Sequence, residues 1–335
     1  MYSSRIFGYD LLKALSISGV IIYLLHSLYL EPFPEEGVYF PEFSKFLMAI
    51  LSASVPLFFM VHGAVVGRRE LTIKKCIQSS LRLFLIGTFW SVFFNLFLFP
   101  LVFGESPASS FWDFYLIYWF LFTLSGIYPI IWVLNRVPLL RKLVVSVLVF
   151  YPFVTNFVWD IILFISPDTQ FPSWGHSGAM TFYSIVYFYL GRRLSAITAP
   201  ISCSVISIVL GLLLVNFEVF SLSNAFGYVY DSVNSCFPTL GAAFVSMGLF
   251  LLLKDLQPDR SSWFVSPISF LGRNTLGVYI FQALIVTLIR QYVFHFQPQN
   301  PFVVFGVALS VCFLGSIIWH IIMYLLEAPR HLYHK

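Results

Sequence analysis

The chain has 335 residues, of which 59% are hydrophobic, 19% aromatic and only 10% charged, and its formal net charge is +4. A soluble domain carries about 25% charged residues, so this composition excludes an ordinary soluble protein and indicates an integral membrane protein. A membrane β-barrel would show segments of alternating hydrophobicity, whereas these apolar runs do not alternate. We therefore expect an all-α integral membrane fold, surrounded by membrane lipids and without a nucleic-acid partner.

Apolar runs long enough to cross a bilayer as helices recur along most of the chain. They predict about ten transmembrane helices, with boundaries uncertain by a few residues. The predicted ranges are roughly 10–30, 46–66, 80–103, 113–134, 142–165, 178–194, 200–221, 233–254, 265–290 and 301–325.

The distribution of Lys and Arg predicts how these helices are oriented. Cytoplasmic loops carry an excess of cations, and the gaps after the second, fourth, sixth and eighth helices hold most of them, whereas the other gaps are nearly bare. The cations in those four gaps are Arg68, Arg69, Lys74, Lys75, Arg136, Arg141, Arg192, Arg193 and Arg260. This bias predicts a multi-pass protein of the cell (inner) membrane with both termini in the cytoplasm.

The four cysteines are scattered along the chain, with no CxxC pair and no histidine at ligand spacing. They are Cys76, Cys203, Cys236 and Cys312. This arrangement predicts neither a disulfide framework nor a metal site.

Ionisable residues in the first two helices are candidates for function, since charges within hydrocarbon are costly. Asp10 and Lys13 could form an ion pair at a helix end, with Lys13 extending to the interface, or they could bind a ligand. His26, near the other end of that helix, could be a hydrated histidine or a general base.

Residues 54–84, SVPLFFMVHGAVVGRRELTIKKCIQSSLRLF, combine Pro56, a His-Gly pair and a dense basic turn. One interpretation is anchoring at the cytoplasmic face by Arg68, Arg69 and the lysines that follow. The other is a site for a polyanionic ligand such as nucleotide phosphates, which Arg82 at the start of the third helix would reach.

These stretches resemble the membrane-bound acyltransferase-3 family. The segment from SVPLFF to RLFLIGTFW is similar to its second and third helices, and YDLLKALSI resembles its opening motif. FYSIVYFYLGRRL and SFLGRNTLGVYIFQALIV resemble two later helices, in the same order. The resemblance implies one transmembrane acyltransferase domain over residues 1–335 that transfers an acyl group, often acetyl, from acyl-CoA to a hydroxyl of a cell-surface or lipid-linked glycan, without a metal.

The resemblance also implies roles for individual residues. The catalytic base would be His26 or His62. Acyl-CoA would be bound by the set Asp10, Lys13, Arg68, Arg69, Arg82 and Arg273, whose five cations would hold its phosphates. The thioester oxygen would be stabilised by Asn274, Thr275 and Tyr279.

The position of His26 departs from the family. Relatives place the catalytic histidine eleven residues after the basic residue, which from Lys13 is Leu24, whereas His26 is two residues further on. Two residues rotate a side chain by about 200° on a helix. Either a break at residues 16–19 restores the register, or His26 is not the equivalent residue and His62 could take its place.

Two other functions stay open at this stage. A transporter or flippase of a glycan or acylated intermediate would also have many helices, although the two related halves that many transporters show are not visible. A purely structural role explains the hydrophobicity but not the order of the motifs. The sequence leaves a homo-oligomer open.

Overall fold

The computed structural model describes most of the helical part of the chain. The described residues are 6–30, 46–47, 49–67, 72–98, 100–101, 111–140, 142–144, 147, 157–158, 161–162, 164–166, 180–226, 239–259, 261–292 and 301–332. All regular structure within these ranges is helical. The prediction of an all-α fold is therefore confirmed for this part of the chain.

Ten helices are numbered here in chain order. They are α1 (Phe7–Leu30), α2 (Ser54–Gly67), α3 (Ile73–Phe93), α4 (Phe111–Arg136), α5 (Met180–Leu194), α6 (Ile201–Phe226), α7 (Leu240–Leu253), α8 (Val265–Arg273), α9 (Thr275–Tyr292) and α10 (Pro301–Leu332). A π-helical segment, Phe94–Leu98, extends α3.

Six stretches of the described residues are long and apolar enough to cross a membrane. They are Phe7–Leu25, Ala49–Val66, Ile73–Leu98, Tyr118–Arg136, Ile201–Ser221 and Phe305–Leu325. The apolar parts of α7 and α9 are shorter. The prediction of ten spans, with both termini in the cytoplasm, stays a prediction.

Three predicted helix boundaries are wrong. The predicted helix 46–66 is interrupted by a turn at Ser52 and Ala53, so that Pro56 lies in the first turn of α2, where its missing N–H is tolerated. The third helix begins at Ile73, because the side chain of Thr72 caps its N-terminus by accepting a hydrogen bond from the N–H of Lys75. The predicted helix 265–290 is divided at Asn274 into α8 and α9.

The hypothesis of a break at residues 16–19 is also wrong, because α1 is continuous from Phe7 to Leu30. The hydroxyl of Ser16 donates a hydrogen bond to the carbonyl of Leu12, 2.7 Å away. The donor of Ser16 is therefore satisfied within the helix. Gly19 packs closely against Ser54 at the start of α2. His26 therefore stays two residues out of the register that the family predicts.

Helices α2 and α5 approach each other backbone to backbone. A Cβ at Gly63 would overlap the carbonyl of Phe188, and a Cβ at Gly191 would overlap the carbonyl of Met60. Only glycine permits this approach, as small residues do at many membrane helix interfaces. The crossing brings the helix turn that carries His62 into close contact with Phe188.

Helix α4 has two irregularities, and neighbouring helices satisfy the backbone groups near both. Its backbone leaves helical geometry at Tyr118 (φ −120°, ψ 24°), and the N–H of Phe120 donates to Tyr279 Oη of α9 at 3.3 Å. Further along, Pro129 has no N–H to donate to the carbonyl of Ser125. The hydroxyl of Ser80 in α3 donates to that carbonyl at 2.8 Å.

Contacts between helices place the N-terminus of α1 beside the C-terminal ends of α7 and α8. Gly8 packs against the carbonyls of Leu253 and Lys254, and Gly272 packs against the backbone of Asp10. The hydrogen bond from Ser80 to Ser125, with the ring contact of Phe84 and Phe122, shows that α3 and α4 are antiparallel.

Most of the cations at helix ends in the described part of the chain consequently share one end of the bundle, which we call the basic end. They are Lys74, Lys75, Arg136, Arg192, Arg193, Lys254 and Arg273. Which side of the membrane the basic end faces stays a prediction from the charge bias.

Candidate active site

His62 lies on α2, next to the glycine at which α2 crosses α5. Its Nε2 is 2.8 Å from Tyr128 Oη on α4, at hydrogen-bonding distance. The imidazole ring meets the tyrosine ring edge-on and lies 6.0 Å from the ring of Phe188. The side chain of His62 is partly buried, so three helices hold it in one orientation.

Lys13 of α1 lies close enough to His62 for their charges to interact. The position follows from the packing of α1 on α2, since Gly19 meets Ser54 while Lys13 and His62 lie further towards the basic end. These two contacts show that α1 and α2 are antiparallel. The motif spacing related Lys13 to His26 on the same helix, whereas the packing of α1 on α2 brings Lys13 near His62.

The remaining residues of the predicted CoA-binding set lie in different places. Asp10 is buried in the first turn of α1, and Arg273 is exposed at the end of α8. Arg82 is exposed in the interior of α3, about 120° around the helix from its buried residue Cys76. It does not lie at the start of the helix, as predicted. Arg68 and Arg69 lie outside the described residues.

His26 belongs to a late turn of α1, but its side chain lies outside the part that the structure describes. The structure therefore does not test its assignment as a base.

The three residues predicted to donate hydrogen bonds to the thioester oxygen lie at and just after the junction of α8 and α9, and all three are buried. Asn274 Nδ2 donates to the carbonyl of Phe270 at 2.9 Å, so its amide also caps the end of α8. Tyr279 Oη accepts the N–H of Phe120, and its own O–H therefore donates elsewhere. Its ring lies 5.4 Å from Phe120, which in turn packs on Phe58, one helical turn before His62.

A family model described as an acyltransferase domain matches residues 6–321 of the chain. The chain belongs to the acyltransferase-3 family. No curated protein and no solved structure gives a significant match. Together with its apolar helices, the family makes this acyltransferase-3 protein a multi-pass membrane acyltransferase.

Sequence analysis of this acyltransferase-3 protein did not find Tyr128, the hydrogen-bond partner of His62. The sequence gives little sign of a role for Tyr128, because it is one of many aromatic residues in the apolar helices. Only the Pro129 that follows distinguishes it from the others. The hydrogen bond between Arg192 and Asn135 was not predicted either, since Arg192 was counted only among the loop cations and Asn135 was not singled out. Among the described residues, no group of three or more His, Cys, Asp or Glu could hold a metal ion.

Proposed function

We propose that this protein transfers an acyl group, with acetyl as the expected group, from acyl-CoA to a hydroxyl of a cell-surface or lipid-linked glycan. The observation that carries the proposal is the His62–Tyr128 pair within a chain whose family match spans nearly its whole length. A neutral histidine held by a second polar group is the arrangement that general-base catalysis requires.

His62 is the base in this proposal. If its Nε2–H donates to Tyr128 Oη, Nδ1 carries the lone pair that can accept the proton of an alcohol. The hydroxyl oxygen then attacks the thioester carbon, the C–S bond breaks, and the leaving sulfur takes the proton back from His62. The products are an ester and a free thiol.

The negative charge that develops on the thioester oxygen must be stabilised by a hydrogen-bond donor close to that oxygen. Tyr279 is our candidate, since its phenol is buried beside the junction of α8 and α9 and its Oη holds the N–H of Phe120. Asn274 and Thr275 are the alternative donors.

The experiment is an acyl-transfer assay on membranes that contain the protein, with labelled acetyl-CoA and the glycans of the host cell. We expect wild-type protein to label a glycan hydroxyl, and His62→Ala to lower the rate by about a hundredfold or more. His26→Ala is the matched control and should retain transfer. If His26→Ala loses activity and His62→Ala does not, the base is His26. Full transfer by the double variant would refute base catalysis by either histidine.

The same assay separates the transporter alternative. Export of an unmodified glycan, independent of acyl-CoA, would favour a transporter. Appearance of acylated glycan and free CoA in equal amounts would favour the transferase.

A further inference from the structure

Arg192 and Asn135 form a polar pair that the proposed chemistry does not use. Arg192 lies in the last turn of α5, and its Nη1 donates to Asn135 Oδ1 of α4 at 2.6 Å. Both side chains are partly buried, whereas the neighbouring Arg193 is exposed. Arginine side chains at membrane boundaries commonly extend to water, but Arg192 instead reaches across to another helix.

The pair lies on the two helices that hold His62, displaced towards the basic end. From Phe188, which packs on His62, Arg192 is four residues further along α5, or about 6 Å. From Tyr128, the partner of His62, Asn135 is seven residues further along α4, or about 10 Å. The two displacements have the same direction, because both helices run towards the basic end.

The charge of Arg192 is poorly compensated among the described residues. A guanidinium has five N–H donors, and the partner recorded for Arg192 is a neutral amide. Within the described ranges no carboxylate is seen in a salt bridge with it. A partly buried guanidinium whose acceptor is a neutral amide keeps its charge and further N–H donors for an anionic ligand.

We propose that Arg192, oriented by Asn135, binds a phosphate group of the acyl-CoA donor. This inference rests on the proposed function and names a binding residue for it. A guanidinium binds phosphate oxygens through two parallel hydrogen bonds, and the hydrogen bond to Asn135 leaves donors for this purpose. The pantetheine arm, which is longer than the spacing between Arg192 and His62, then extends towards the imidazole and carries the thioester to the base.

The first test compares two donors in the transfer assay: acetyl-CoA, and S-acetylpantetheine, which has the thioester but no phosphate. We expect Arg192→Gln to raise the KM for acetyl-CoA about tenfold, the loss of one charge-assisted contact, with little change in kcat. The KM for S-acetylpantetheine should be the same in wild type and variant. Arg193→Gln is the matched control, because it removes an exposed charge from the same turn, and it should change neither constant by more than about twofold.

The second test distinguishes a binding role from a structural one. Asn135→Asp keeps the size and the acceptor but gives Arg192 a carboxylate partner, which competes with phosphate. We expect it to raise the KM for acetyl-CoA about as much as Arg192→Gln does, while the protein stays as resistant to thermal unfolding as wild type. A purely structural Arg192 predicts an unchanged KM instead, so the KM for acetyl-CoA decides between the two roles, and the melting temperature checks only that the variant is folded.

Binding of unacylated CoA to the purified protein in detergent micelles supplies a readout that does not need catalysis. If wild type transfers acetyl but Arg192→Gln changes neither the KM nor the affinity for CoA, the inference about Arg192 is overturned and the proposed function stands. If wild type transfers no acetyl but binds CoA about tenfold more tightly than Arg192→Gln, the proposed function fails while the phosphate site stands. If wild type does not bind CoA at all, both fail.

Discussion

At the scale of single residues, the two candidate histidines have different surroundings. His62 is joined to Tyr128 and lies beside Lys13. His26 lies two residues out of the family's register, on a helix with no break to correct it. Tyr128 can stabilise one tautomer of His62 by its hydrogen bond, and this makes it a positioning residue for the proposed base.

The role of Tyr128 can be tested by Tyr128→Phe, which removes the hydroxyl and leaves the ring that packs on His62. We expect kcat for acyl transfer to fall about tenfold, the value of one lost hydrogen bond, with KM nearly unchanged. Because the hydrogen bond selects the tautomer, the pH dependence of kcat should shift as well. Tyr183→Phe, at a buried tyrosine of α5, is the control, and an equal loss there would argue against a specific role for Tyr128.

Several residues of the candidate site could be predicted from the sequence, but the contacts between them could not. Lys13 and His62 were both candidates, but their proximity depends on the antiparallel packing of α1 on α2. Asn274 was a candidate oxyanion donor, but the break that turns its amide towards Phe270 lies inside what was predicted as one helix. Contacts between residues far apart in the chain leave no trace in one sequence.

At the scale of helices, the crossing of α2 and α5 positions His62. Gly63→Ala would place a methyl group against the carbonyl of Phe188, and such overpacking costs about 1–3 kcal/mol. We expect a lower melting temperature in detergent and a loss of transfer activity, because His62 is the next residue.

Gly126→Ala is the matched control for this substitution, since a Cβ at Gly126 on α4 would meet nothing within 4 Å. That variant should be at least as stable as wild type, because alanine favours the helix by about 0.5–1 kcal/mol over glycine. Equal destabilisation by the two alanines would contradict a tight crossing at Gly63.

The carbonyl of Ser125 offers a second test, through a double-mutant cycle. Ser80→Ala removes the hydroxyl that donates to it and should cost about 1 kcal/mol of unfolding free energy. In a Pro129→Ala background the restored N–H can satisfy the same carbonyl, so Ser80→Ala should then cost less than half as much. Equal costs in both backgrounds, measured by thermal unfolding, would show that Ser80 does not compensate for Pro129.

Hydropathy predicted most of the helices but not where they are interrupted. A window of about 20 apolar residues reports that a segment prefers hydrocarbon. The breaks at Ser52, Asn274 and Tyr118 are decided instead by one missing N–H, one side-chain cap or one hydrogen bond from another helix. None of these changes the mean hydropathy of its segment.

At the scale of the whole molecule, one end of the bundle carries the described helix-end cations named above, and the orientation of the basic end can be measured. In a variant without native cysteines, Ser261→Cys lies between α7 and α8 at the basic end. A membrane-impermeant maleimide should label it only after the cells are permeabilised. Ser173→Cys, in a gap predicted to be external, should be labelled in intact cells, and the reverse pattern would invert the predicted topology.

Composition and charge pattern were enough to predict an all-α membrane protein, and the order of four motifs was enough to predict its family. They were not enough to predict that His62, Tyr128 and Lys13 lie together, because these residues come from three helices separated by as many as 115 positions. That constellation exists only in the assembled bundle.

The hydrogen bond from Phe120 to Tyr279 has a consequence for biogenesis. During synthesis α4 enters the bilayer well before α9 exists, and in hydrocarbon an unsatisfied N–H costs several kcal/mol. We therefore expect the kinked turn of α4 to stay hydrated at the membrane boundary until α9 arrives and accepts the N–H of Phe120. Nascent chains that end before Tyr279 should accordingly be cleared by membrane quality-control proteases, while chains that end just after α9 should persist.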